Sequence, residues 1–229
     1  MSNETQFVLP ALEDISGLSL RDCLDSVRFE FNASIAPNLG QAYTDSRVGI
    51  IQFSSDLTTS YFTGTLPQAF DDHEPVHILF QCAHVPYTHN FNHAFFFGVQ
   101  AELNAAAFTR SGNSLSMILA YALTNANRDY VNYWDTNLTT DPSPFGQTGM
   151  FNGCPGVATY LLLHEYNRPN HDIVRTWFTT IHGDATLAAL PYSGDPAADA
   201  RYVQLVQGLT SPDASTRSRL SPYCSSITP

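Results

Sequence analysis

The chain has 229 residues, 43% of them hydrophobic and 12% aromatic, enough for one sizeable core, which excludes a largely disordered protein. Its ten basic residues are all arginine and face 21 acidic ones, so a net charge of −11 excludes a grip on nucleic acid by charge. Only 14% of residues are charged, below the roughly 25% of an average domain, and such a surface points to neutral contacts with other chains.

Residues 1–10 hold no basic segment followed by an apolar run, and no stretch reaches the roughly 18 apolar residues of a membrane span. The location expected from this is intracellular or a virion surface, with no cleavable secretory signal. A short helix is predicted around Leu18 to Leu24. Strands follow, because runs of β-branched and aromatic residues are cut by turn formers: Val27 to Phe31 alternates strictly, and Val48 to Phe53, Leu57 to Phe62 and Val76 to Cys82 continue the pattern. Between the last two, a Pro67 to Pro75 loop carries Asp71, Asp72 and Glu74, either a solvated acidic loop or a cation or acid–base site.

After His93 small and apolar residues recur three or four apart, the helical period. Helices are predicted over Gln100 to Phe108 and over Ser114 to Ala126, with a continuation through Tyr130 to Trp134 left open. A Pro- and Gly-rich loop fills Thr136 to Gly153, a length that often carries function. Helices over Pro155 to Tyr166, His171 to Ile181 and Ala197 to Leu209 complete the body, in which Trp177, Phe178 and Ile181 form a core stripe. The fold class is therefore α+β: a strand-rich first half, about 27–97, packed against a helical second half, about 100–209. Residues 1–210 form one domain, and 211–229 an extended Ser- and Pro-rich tail.

The four cysteines, Cys23, Cys82, Cys154 and Cys224, are far apart and form no C-x-x-C pair. Three disulfide pairings exist on paper, but without a secretory signal the expectation is free, mostly buried thiols. Asn3, Asn32 and Asn137 begin N-x-S/T sequons, idle on the same reasoning.

Chemistry concentrates at Asn152-Gly153-Cys154-Pro155-Gly156, where a loop ends in a cysteine that opens an apolar helix. A thiol at a helix amino terminus sits at the positive end of the macrodipole, which favours the thiolate. This arrangement resembles the papain-like thiol hydrolases. In their circularly permuted branch, which includes relatives of lecithin:retinol acyltransferase, the base histidine precedes the cysteine and starts an apolar strand, as His93-Ala94-Phe95-Phe96-Phe97 would here. The resemblance implies Cys154 as nucleophile and His93 as general base, although the usual Asn-Cys pair is here Gly153-Cys154. The plainer reading is a structural thiol and a loop histidine.

His84, His89 and His93 would face one zinc ion if their loop folded back, yet Pro86 breaks any helix that would align them, so no metal is assigned. His164-Glu165-Tyr166-Asn167-Arg168 resembles the Arg-Glu-His-Asn-Arg helix of animal-type haem peroxidases, but tyrosine stands where the axial histidine would be. No cofactor is assigned either.

Low charge, abundant neutral polar and aromatic residues and the lack of a convincing catalytic set together point to a structural or interaction protein. The expectation is a repeated subunit of an assembly such as a viral capsid or virion surface, with copies of itself or a larger shell protein as partners. Coat and decoration proteins of non-enveloped viruses resemble this composition. The thiol hydrolase or acyltransferase using Cys154 and His93 is the alternative.

Overall fold

The computed structural model describes residues 8–37, 39–59, 68–83, 128–129, 131–132, 135, 153–166, 172–189 and 196–229. The chain begins with α1 (Leu9–Ser16), which Gly17 ends in the left-handed region at φ 70°, its N–H donating to the Glu13 carbonyl. Glu13 then reaches forward, its Oε1 accepting the Leu20 N–H at 2.8 Å at the start of α2 (Leu20–Cys23). One acidic side chain thus caps the next helix and fixes the turn between them.

Three strands follow: β1 (Ser26–Asn32), β2 (Gly40–Asp45) and β3 (Val48–Ser54). The sheet order is β1-β3-β2, with β3 parallel to β1 and antiparallel to β2. Period-two alternation turns Val27, Phe29, Phe31, Ala42, Ile51 and Phe53 to the hydrophobic core. Paired Phe31 and Phe53 put their ring centroids 6.4 Å apart. The opposite face carries a polar group, Arg28, Glu30 and Asn32 beside Gln52 and Gln41, together with Ile50 and Tyr43.

A single turn, Ser55–Leu57, leaves the sheet, and α3 (Gln68–Cys82) crosses back over it. The second half is helical: α4 (Gly153–Tyr166), α5 (Asp172–His182), α6 (Ala185–Ala188), α7 (Pro196–Thr210) and α8 (Ala214–Leu220). On α5, Ile173, Val174, Trp177, Phe178 and Ile181 are buried, the three-and-four spacing of one apolar face. Phe80 of α3 packs against Trp177 at 5.5 Å and edge-on to Phe178 at 5.3 Å, and Trp177 meets Tyr202 of α7. This aromatic cluster joins the two halves, so the α+β class holds with the core at their junction.

Several sequence expectations are corrected. Val76 to Cys82 is the second half of α3, and Pro75 lies inside that helix. Val76, Ile78, Leu79 and Phe80 are all buried, and so are the polar Glu74 and His77, so no water-facing polar stripe reveals the period. At the expected strand from Leu57, Leu57 closes a 3-10 turn and Thr58 and Thr59 are helical; the remainder, 60–62, lies outside the described residues. The tail is not extended: it contains α8 and buries Leu220, Cys224 and Ile227. α1 and β2 carry no sequence signal of their own in this reading. The predicted helices over 100–108 and 114–126 lie outside the described residues, as does nearly all of the 136–153 loop.

Candidate functional site

The expected nucleophile is the second residue of α4, at the helix amino terminus as the sequence suggests. Its sulfur, however, is bonded to Cys224, with the Cα atoms 4.5 Å apart. Cys23 at the end of α2 is bonded to Cys82 at the end of α3, and no cysteine is free, which overturns the expectation of four thiols. A disulfide sulfur has no thiolate lone pair to attack a carbonyl and no proton to pass to a base. In this state the chain presents no Cys154 nucleophile, and His93, the base of that reading, lies outside the described residues together with His84 and His89.

What surrounds Cys154 instead is a clasp on the carboxyl-terminal segment. Tyr160, two turns along α4, donates its hydroxyl to Asp135 Oδ1 at 2.5 Å and accepts from Arg219 of α8 at 3.2 Å. Arg219 also pairs with Asp135 at 3.6 Å. Burial first, and then the bond to Asp135, push the Tyr160 phenol well above its ordinary pKa, so it stays a neutral donor. Gln207 of α7 donates to the Ser226 carbonyl at 3.0 Å, and Asp213 caps α8 through the Thr216 N–H at 2.7 Å. The disulfide, the Arg219–Asp135 ion pair with the tyrosine hydroxyl bonded to both, and an amide together fasten residues 211–229 to the helical half.

Two further polar positions stand out: Glu74, which the sequence places in a solvated acidic loop or a cation or acid–base site, and Gln52, which no sequence pattern singles out. Glu74, expected in a solvated loop, lies on α3 and is only 4% exposed. Burial pushes its carboxyl from 4.5 up to about 7, and among the described residues Oε2 has no hydrogen-bond partner. It abuts Gly40 at the start of β2, where a Cβ would stand 2.7 Å from Oε1. On the outer sheet face Gln52 accepts from Gln41 at 2.7 Å and from Asn32 at 3.3 Å, and donates to Glu30 at 2.7 Å. Glu30 in turn pairs with Arg28 at 2.7 Å. The strict alternation of Val27 to Phe31 is the signal that places Arg28 and Glu30 on this face; nothing in the sequence pairs them with Gln52.

Chemically, none of these places joins a nucleophile to a base. Glu74 stands apart from the clasp, and the Gln52 network is amides and a paired carboxylate. Among the described residues no group of three or more potential ligands stands ready for a metal ion, and no helix is long and apolar enough to cross a membrane. The haem-peroxidase resemblance falls on α4, where Tyr166 is buried in the core and the His164 ring packs 5.7 Å from that of Tyr160. A groove of about 200 Å3 between α1, α2 and β1 is lined by Leu9, Glu13, Leu20 and Arg21, but the Glu13 carboxylate there is occupied in capping α2. Compared with known protein families, curated proteins and solved structures, the chain matches none.

Proposed function

We propose that this protein is a structural subunit that works as repeated copies in an extracytoplasmic assembly, such as the coat or surface of a virion. The observation that carries the reading is the pairing of all four cysteines in a chain of very low charge density. Disulfides persist at virion and cell surfaces and in secretory compartments, and they are rare where thiols are kept reduced. Closing loops of 59 and 70 residues stabilises each half by about 4 kcal/mol in the chain-entropy account. Durability of that kind suits a particle exposed to the environment. A surface with only 14% charged residues suits close packing between subunits, because few ions must be desolvated at each contact.

Sedimentation velocity on the disulfide-intact chain at rising concentration tests the proposal. The expected result is a discrete oligomer or larger closed particle. A monomer at every concentration up to the solubility limit would overturn it.

A further inference from the structure

We propose that Asn32 is an acceptor for N-linked glycosylation, presented by the turn that ends β1. Asn32-Ala33-Ser34 has the N-x-S/T pattern, and the turn gives it a definite shape. The Ile35 N–H donates to the Asn32 carbonyl at 3.2 Å, closing a four-residue turn, and the Ser34 N–H donates to Asn32 Oδ1 at 2.9 Å. Ala33 and Ser34 are exposed. Nδ2 carries two hydrogens: one donates to Gln52 Oε1 at 3.3 Å, the longer of the two bonds that oxygen accepts. The other is the one that the modification would replace.

The second observation concerns the compartment. The sequon reads as idle for want of a secretory signal, the premise that also predicts free thiols, and both disulfides contradict that second consequence. The compartment that pairs Cys23 with Cys82 and Cys154 with Cys224 is, in a eukaryotic host, also the one that glycosylates. The reaction joins Nδ2 to the anomeric carbon of an oligosaccharide carried on a polyprenyl pyrophosphate. The bond between that carbon and the pyrophosphate oxygen breaks, the lipid pyrophosphate departs as the leaving group, and Nδ2 loses one proton. The remaining N–H can still donate to Gln52, so the modified side chain keeps its place in the network. The proposal stands independently of the assembly reading, since a monomer can be glycosylated as readily as a subunit.

The test is to direct the full chain into the secretory pathway of eukaryotic cells with a leader peptide. The disulfide-bonded pool, lumenal or secreted, is recovered and mapped by mass spectrometry before and after peptide N-glycosidase in heavy-oxygen water. The expected result is a glycan on the Asn32 peptide, converted to aspartate with the heavy label, lost in Ser34→Ala and retained in Ser34→Thr. Both substitutions fall on an exposed residue whose backbone N–H is preserved, and an unchanged disulfide map verifies their folding. An unmodified Asn32 in disulfide-bonded chain overturns the proposal, as do glycans confined to Asn3 or Asn137. So does failure of any disulfide-bonded chain to accumulate, because the compartment premise then falls.

Discussion

Glu74 is a carboxyl whose neutral form the fold prefers, and this sets a direction for stability against pH. Its folded pKa, about 7, lies above the unfolded 4.5, so between these values the unfolded chain holds fewer protons than the folded one. The folded state is favoured below 4.5, loses stability as pH rises through the window, and carries the full penalty above 7. The penalty amounts to roughly 3 kcal/mol. Glu74→Gln is expected to flatten the pH 4.5–7 slope in urea unfolding and to be the more stable protein at pH 8; an unchanged slope would show that another group carries it. Gly40→Ala should cost on the order of 1–2 kcal/mol, because its Cβ meets Glu74 Oε1 at 2.7 Å. The cost should shrink in a Glu74→Ala background, a coupling that a double-mutant cycle measures.

Another residue-scale feature is the β2–β3 turn, where Ser46 and Arg47 both hold positive φ, at 49° and 66°. Such a turn matches strand twist but suits Asn-Gly better than Ser-Arg. Arg47 is held there by other contacts: its guanidinium bonds Asp25 at 2.9 Å and the Asp22 carbonyl at 2.8 Å. Ser46→Asn is expected to raise stability by about 0.5 kcal/mol, read as a higher urea midpoint, since asparagine tolerates the left-handed region.

At the scale of elements, the sequence spoke clearly wherever one face of a segment meets water. β1 and α5 are legible for that reason: Val27 to Phe31 alternates, and Ile173 to Ile181 follows the helical period. α3 was not, since its apolar run is buried on every side and Pro75 mimics a boundary. β2 was missed because Gly40-Gln41-Ala42-Tyr43-Thr44-Asp45 has no apolar alternation; its place is secured from outside. Gln81 of α3 accepts from the Thr44 N–H at 2.6 Å and donates to the Ala42 carbonyl at 3.2 Å, so one side-chain amide stands in for a neighbouring strand. α6 depends on Asp184, which accepts the Leu187 N–H at 2.8 Å and pairs with Arg201 of α7 at 2.5 Å. The bond to Arg201, above all, holds that carboxyl below its ordinary pKa. Asp184→Ala should therefore cost about 1–2 kcal/mol in thermal or urea unfolding, a cap and a helix-to-helix tie being lost together.

The candidate site shows the same division. Placing Cys154 at a helix start needed only local sequence, whereas its bond to Cys224 depends on how residues 211–229 return over α4, which no local pattern records. The burial of Glu74 is likewise a property of the packed molecule.

At the scale of the whole molecule, the two disulfides occupy separate stretches of chain, 23–82 and 154–224, without interleaving. Each half is a closed covalent ring, and between them runs a single strand of polypeptide, 83–153. One peptide-bond cut in that stretch severs every covalent link between the halves, whereas one cut inside either ring severs none. After such a cut the halves would stay together through non-covalent contacts, among them the cluster of Phe80, Trp177 and Phe178, the bond between His182 Nδ1 and the Cys82 carbonyl at 3.2 Å, and the pairing of Arg175 on α5 with Asp14 on α1 at 3.3 Å. Limited proteolysis read on a non-reducing gel distinguishes the two cases directly: a nick between 83 and 153 yields two bands in detergent but one particle in native buffer, while a nick in either ring yields one band until reductant is added. The chain is covalently a pair of loops on a tether, and its unity as a folded body rests on non-covalent packing between them.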